Sequence, residues 1–176
     1  MAEHGSSVVA VYPDHESAEE AVKALEAAGF SLKNLSIMGR DFQATEHPVG
    51  FVTTGDVASQ GAHAGAWAGG IFGLLMGAAF LILPGVGPVV VAGPLAAALL
   101  GGVEGAIAGA ALGGIGGALV GLGVSKERAV KYETELKAGK FVVTLRGTPD
   151  EADRAKGLLE GGRAETTEVF SQGAGV

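Results

Sequence analysis

Glu104 is the only charged residue between Ala64 and Val124, and a lone carboxyl in so apolar a run is the most suggestive chemical group in this sequence. Carboxyls converging from several copies could line an ion or proton path. A protonated carboxyl hydrogen-bonded across an interface, or carried to the surface by a kink, is the plainer reading. The four histidines, His4, His15, His47 and His63, share no metal-ligand spacing. Gly113 to Ala118 (GGIGGA) fits a G-x-G-x-x-G string, but no predicted strand precedes it and it falls inside an expected helix, so no dinucleotide site follows. Gly121 to Ser125 (GLGVS) lacks the spacing of a phosphate-binding loop. No serine, histidine and carboxylate set reads as a triad. The sequence therefore predicts no catalytic residue, no metal, no cofactor and no small-molecule substrate.

The positions around Glu104 carry a different signal. Glycine recurs at every fourth position in two apolar tracts, Gly61, Gly65, Gly69, Gly73 and Gly77, then Gly101, Gly105, Gly109, Gly113, Gly117 and Gly121. Glycine costs a helix about 1 kcal/mol against alanine, so a series of this length needs a compensating gain. Residues four apart share a helix face, and glycine there lets two backbones approach closely. The pattern is a glycine zipper, and these residues are expected to pack copies of the chain together. The ridge drifts about 40° per step on an ideal helix. It therefore faces more than one neighbour, which points to a homo-oligomer.

Asp56 to Leu83 reads as one helix about 42 Å long. The turn Pro84, Gly85, Val86, Gly87, Pro88 follows, and Pro94 suits the first turn of a second helix to about Leu122. Pro84, Gly85, Gly87, Pro88 and Pro94 are thus the expected hinge. Each apolar stretch is long enough to span a bilayer. Three shorter spans, 64–83, 86–103 and 105–124, are the competing count.

The chain has 176 residues, formal net charge −7 and 12 Lys and Arg that form no basic stripe, which argues against a nucleic-acid partner. There is no cysteine, so disulfides and thiolate metal sites are excluded. No Lys or Arg lies between Arg40 and Lys126, and the polar start, Met1 to Ser7, does not read as a signal peptide.

The two ends read as ordinary α+β structure. Residues 6–39 predict strand, helix, strand, with Asp14 or Ser17 as N-cap, Ser17–Glu20 as a capping box, an apolar face of Ala18, Ala21, Val22, Leu25 and Ala28, and Gly29 as stop. Residues 125–170 predict helix, strand, helix, strand. Ser125 caps the first helix, Ala129, Tyr132 or Glu133, and Leu136 line it, and Gly139 stops it. Thr148-Pro149-Asp150-Glu151 opens the second as a capping box, and Ala152, Ala155, Leu158 and Leu159 give it an apolar face. Ala18, Ala21, Leu25 and Glu26 echo Ala152, Ala155, Leu159 and Glu160 at one constant offset. A strand–helix–strand unit used twice predicts a ferredoxin-like sandwich, four strands with helices on one face. Neither half buries its helix alone, so both should form one domain. An even number of membrane crossings keeps the halves together, which favours the helical hairpin. Lys126, Arg128, Lys131, Lys137 and Lys140 then place both termini in the cytoplasm.

Three stretches resemble a known bacterial family: VVAVYPDHESAEEAVKALEAAGF, LPGVGPVVVAGPLAAAL and GALVGLGVSKERAVKYETELKAGKFVVTLRG. They look like the heat-induced or general stress protein (YflT-like) domain family, which includes proteins called low-temperature-induced. The resemblance implies a bacterial stress protein without a catalytic residue set, and it transfers no active site.

The expected organisation is a first half-domain over 6–39, a linker over 40–55, a glycine-zipper helical hairpin over 56–124, a second half-domain over 125–170 and a flexible tail over 171–176. The expected function is a non-enzymatic stress protein that homo-oligomerises through its zipper, embedded in or associated with the bacterial cytoplasmic membrane. Its partners would be itself and the lipid bilayer. Two alternatives stay open: a pore around Glu104, and a soluble self-assembling cytoplasmic particle with the apolar helices inside.

Overall fold

The computed structural model describes residues 5–40, 78–83, 87–95 and 114–171. Their architecture is α+β, with six antiparallel strands in one sheet and four helices on its two faces. In chain order the elements are β1 (Ser6–Tyr12), α1 (His15–Ala27), a short 3-10 turn (Leu32–Asn34), β2 (Leu35–Arg40), β3 (Ala78–Leu83), β4 (Gly87–Ala92), α2 (Gly114–Gly121), α3 (Lys126–Lys137), β5 (Phe141–Gly147), α4 (Pro149–Glu160) and β6 (Thr166–Ser171). The sheet order is β3-β4-β2-β5-β1-β6.

Local chemistry sets the helix ends. Asp14 caps α1, its carboxylate accepting from the Ser17 backbone N–H at 2.8 Å. The Ser125 hydroxyl accepts from Arg128 N at the start of α3. Thr148 and Glu151 complete the reciprocal capping box of α4, with Pro149 in the first turn. Gly29, Gly123 and Gly139 end α1, α2 and α3 alike, each at φ between 85° and 89°. At each end the residue after the glycine bonds back to the carbonyl five residues before it, as Phe30 N does to Leu25 O and Lys140 N to Glu135 O.

Alternation along the strands divides the core in two. Val8, Ala10 and Tyr12 of β1 join Leu35, Ile37, Val143 and Leu145 under α1 and α4. Val9 and Val11 face the other way, with Met38, Val89, Val91 and Val142, and α2 and α3 close over them through Ile115, Leu119, Tyr132 and Leu136. The sheet is thus covered on both faces. The expectation placed the helices on one face; α2 and α3, both within stretches expected to be helical, instead cover the second face through their apolar positions.

The apolar middle of the chain departs from the expected helical hairpin. Ala78–Leu83 and Gly87–Ala92 are strands paired antiparallel from Ala78↔Ala92 to Leu83↔Gly87. β4 then pairs with β2 through Ile37↔Ala92, Met38↔Val91, Gly39↔Val90 and Arg40↔Val89. This part of the insertion is built into the sheet of the end segments. A short apolar run has no periodicity to separate strand from buried helix, and the β-branched Val89, Val90, Val91 and Ile82 favour the strand.

The membrane reading is corrected with it. Among the described residues no helix is long and apolar enough to cross a membrane. The last six residues of the expected first span, 78–83, are strand. The bilayer partner, the transmembrane helices and the cytoplasmic-membrane location are therefore withdrawn, and so is the pore that needed those helices.

Candidate functional site

The polar groups that the fold gathers are held to each other. On one side, α3 crosses β6. The Tyr132 hydroxyl donates to Glu168 Oε2 at 2.5 Å, and Arg128 Nη1 bridges Glu168 Oε1 at 2.8 Å. Burial, then the Glu168 hydrogen bond and charge, pushes the Tyr132 hydroxyl far above its ordinary pKa and keeps it protonated. The Phe170 ring meets Tyr132 edge-on at 6.3 Å. Both carboxylate oxygens are engaged, so Glu168 is a structural tie and not a free base. Nearby, Lys140 Nζ lies 2.6 Å from both Glu135 and Glu165, fastening α3 to the entry of β6. These two carboxylates raise the lysine's pKa, so it stays an ammonium.

On the opposite face a hollow of about 200 Å³ lies between α1 and the end of α4, lined by Tyr12, Ser17, Ala21, Leu158 and Arg163 among others. Ser17 is the nearest thing to a nucleophile there. Its hydroxyl donates to Asp14 Oδ1 at 2.7 Å. The Ser17 backbone and side-chain hydrogen bonds pull the Asp14 pKa down, and a carboxylate so stabilised is a poor base for a serine. The Tyr12 hydroxyl is buried without a hydrogen-bond partner among the described residues, as are Ser7 Oγ and Thr167 Oγ1. Burial raises the Tyr12 pKa, leaving a neutral phenol. Nothing in this arrangement activates a nucleophile or supplies a general acid and base together.

Most of the residues singled out in the sequence lie outside the described residues: Glu104, His4, His47, His63, Pro84, Gly85, the first glycine series and Gly101, Gly105, Gly109 and Gly113. Of the zipper, Gly117 and Gly121 are described. Both belong to α2, Gly117 is buried, and Gly121 is exposed with open space where a Cβ would stand. Gly87 and Pro88 belong to β4, opposite Leu83 and Ile82, rather than to a helical hinge. Pro94 and Leu95 are helical, and the Leu95 N–H is accepted by the buried Ser36 hydroxyl at 3.1 Å. His15 packs edge-on to Phe141 at 6.3 Å. No group of three or more His, Cys, Asp or Glu side chains could hold a metal among the described residues. Of the GGIGGA string, Ile115 and Ala118 belong to the core beneath α2.

The feature that sequence reasoning missed is an edge. Among the described residues, β3 (AAFLIL) stands at one end of the sheet order and β6 (TTEVFS) at the other. A natural edge strand is usually blunted by charge, proline or a bulge. β6 carries Glu168 and three hydroxyl residues, whereas β3 carries no polar side chain at all. The signal was present in the sequence as an uncharged six-residue run, hidden by the helical reading of its neighbours.

Residues 7–82 match the family model described as the heat induced stress protein YflT domain. The match covers β1 through β3, and it bears out the resemblance drawn from the opening stretch. Among curated proteins and among solved structures there is no match to this chain. The family match is consistent with a stress protein.

Proposed function

We propose that this chain, with a heat induced stress protein YflT domain over residues 7–82, is a stress protein that works by self-association. In this reading its apolar central segment is buried between copies in a particle and not in a bilayer. The observation that carries the reading is the joining of β3 and β4 to β2, which directs part of the apolar insertion into the folded domain. The glycine series supplies the rest of the argument, since small side chains at every fourth position allow close backbone approach. Gly61 through Gly77 and Gly101 through Gly121 remain the proposed packing residues.

The end segments 6–39 and 125–170 are proposed to form a ferredoxin-like core that presents this insertion. The partial order β2-β5-β1-β6, all antiparallel, is the order two interlocked strand–helix–strand units produce, and it supports that assignment. The core would be the rigid platform and the insertion the assembly element. Fractionation of cells expressing the full chain tests the placement. Recovery in the carbonate-washed supernatant without detergent is expected. Retention in the washed membrane pellet, released only by detergent, would overturn it.

A further inference from the structure

We infer that the hollow between α1 and the end of α4 is a binding site for a small zwitterion, with the chemistry of a free amino acid of short side chain. The inference goes beyond the self-association reading and does not depend on it. Every residue it uses lies within one copy of the chain.

The floor of the hollow is Tyr12 of β1, wholly buried in the core under α1 and α4. Its hydroxyl has no hydrogen-bond partner among the described residues. Buried polar groups are nearly always paired. A tyrosine left unpaired carries a desolvation cost that phenylalanine, filling the same space, would not. Burial holds the phenol neutral, so it keeps its proton to donate. A polar acceptor in the hollow would complete its hydrogen bonding.

The walls add an apolar lining and two charges. α1 supplies Glu20, Ala21 and Ala24, and the end of α4 and the turn after it supply Leu158 and Arg163. Leu158 is one of two large hydrophobic side chains left exposed among the described residues, at 41 %. Glu20 and Arg163 have opposite signs, and neither is in an ion pair with a described residue. Arg163 also helps to lower the Asp14 pKa, so its charge is felt at the start of α1.

This charge pattern selects the ligand. A simple anion would be drawn by Arg163 and repelled by Glu20 and Asp14, and a simple cation would meet the reverse. A carboxylate and an ammonium on one short frame match both signs, with the guanidinium as a two-pronged donor to the carboxylate. Volume sets the size. About 200 Å³ holds about six or seven water-sized groups at about 30 Å³ each, room for the non-hydrogen atoms of alanine and little more.

Alanine is therefore the probe, with propionate and ethylamine as its single-charge halves. Saturation-transfer NMR on the full-length chain reads weak binding of small molecules whatever the mass of the particle. The expected result is alanine binding with a dissociation constant of about 1 mM, and each half at least about tenfold weaker. Arg163→Gln and Glu20→Gln change exposed side chains outside the core, and each should weaken alanine about tenfold. Tyr12→Phe should do the same, while its urea midpoint holds or rises because an unpaired buried hydroxyl has gone. Lys156→Gln on α4, which does not line the hollow, should leave binding unchanged. No alanine binding to folded wild type at about a hundredfold excess over that constant means that the hollow takes up water only, and overturns the site. Alanine binding that survives all three substitutions, or propionate or ethylamine binding as tightly, overturns it equally. Light scattering on the same samples reads self-association separately, so a monomer that binds alanine supports the site and overturns only the particle.

Discussion

The Tyr132 hydroxyl and the Glu168 carboxylate meet at 2.5 Å across the interface of α3 and β6, and Arg128 closes the same carboxylate from its other side. α3 follows the central segment directly in the chain, so this contact anchors the exit of the insertion to an edge of the sheet. A hydrogen bond to a charged acceptor contributes about 1.5–3 kcal/mol. Tyr132→Phe keeps the ring against Phe170 and removes the donor. Urea unfolding should show a loss of about 1–2 kcal/mol, reduced within that range because Glu168 retains Arg128. The Tyr132 pKa is raised in the folded state, so its protonated form contributes fully below the ordinary value of 10.0 and the contribution is lost as pH climbs above it. Tyr132→Phe should therefore flatten part of the alkaline fall in stability. An unchanged alkaline limb would contradict the assignment.

Gly93 turns the chain from β4 into the helical start at Pro94 with φ at +91°. A Cβ there would stand 2.1 Å from the Leu35 carbonyl oxygen, a backbone atom that cannot swing aside. Gly93→Ala combines a strained backbone with an overlap, each costing on the order of 1–3 kcal/mol. The expected outcome is a lower urea midpoint and loss of protection at Leu95 N–H, which the Ser36 hydroxyl accepts. Hydrogen exchange at Leu95 reads this directly.

Asp14 opens α1, and hydrogen bonds from the Ser17 backbone and hydroxyl hold its pKa below the ordinary 3.8. A carboxyl with a depressed folded pKa contributes stability above its unfolded value, and loses it as pH falls through the folded value. Asp14→Ala should cost about 1 kcal/mol at neutral pH, the usual loss of an N-cap. The gap between variant and wild type should narrow in acid, below the ordinary carboxylate range. A gap that stays constant down to that range would mean the charge plays no part.

The zipper makes its own prediction. Gly109→Leu and Gly113→Leu place bulk where close backbone approach is proposed. Light scattering should report a smaller particle for each, and a smaller one still for the pair. An unchanged mass would show that these glycines are not at a contact between copies.

The legible parts of this sequence are those with local physical signatures. Asp14, Ser125, Thr148 and Glu151 act within one helical turn, and the stops at Gly29 and Gly139 need only φ > 0. The apolar faces of α1, α3 and α4 follow helical spacing and lie largely buried, with Leu158 of α4 the exception, exposed to solvent. Residues 78–92 were illegible for a physical reason. Without alternation or a 3.6-residue period, AAFLIL and VVV fit a buried strand or a buried helix equally. Only the pairing of β3 with β4, and of β4 with β2 some 49 to 55 residues earlier in the chain, decides between them. The Tyr132–Glu168 contact was equally hidden, because the pair stands 36 residues apart on different elements.

The central claim is that copies of this chain associate without a bilayer. Sedimentation equilibrium of the purified, lipid-free full-length chain in detergent-free buffer, over a hundredfold dilution, tests it most directly. The predicted result is a defined multiple of the chain mass that persists on dilution. A single monomeric species across the whole series would contradict the account.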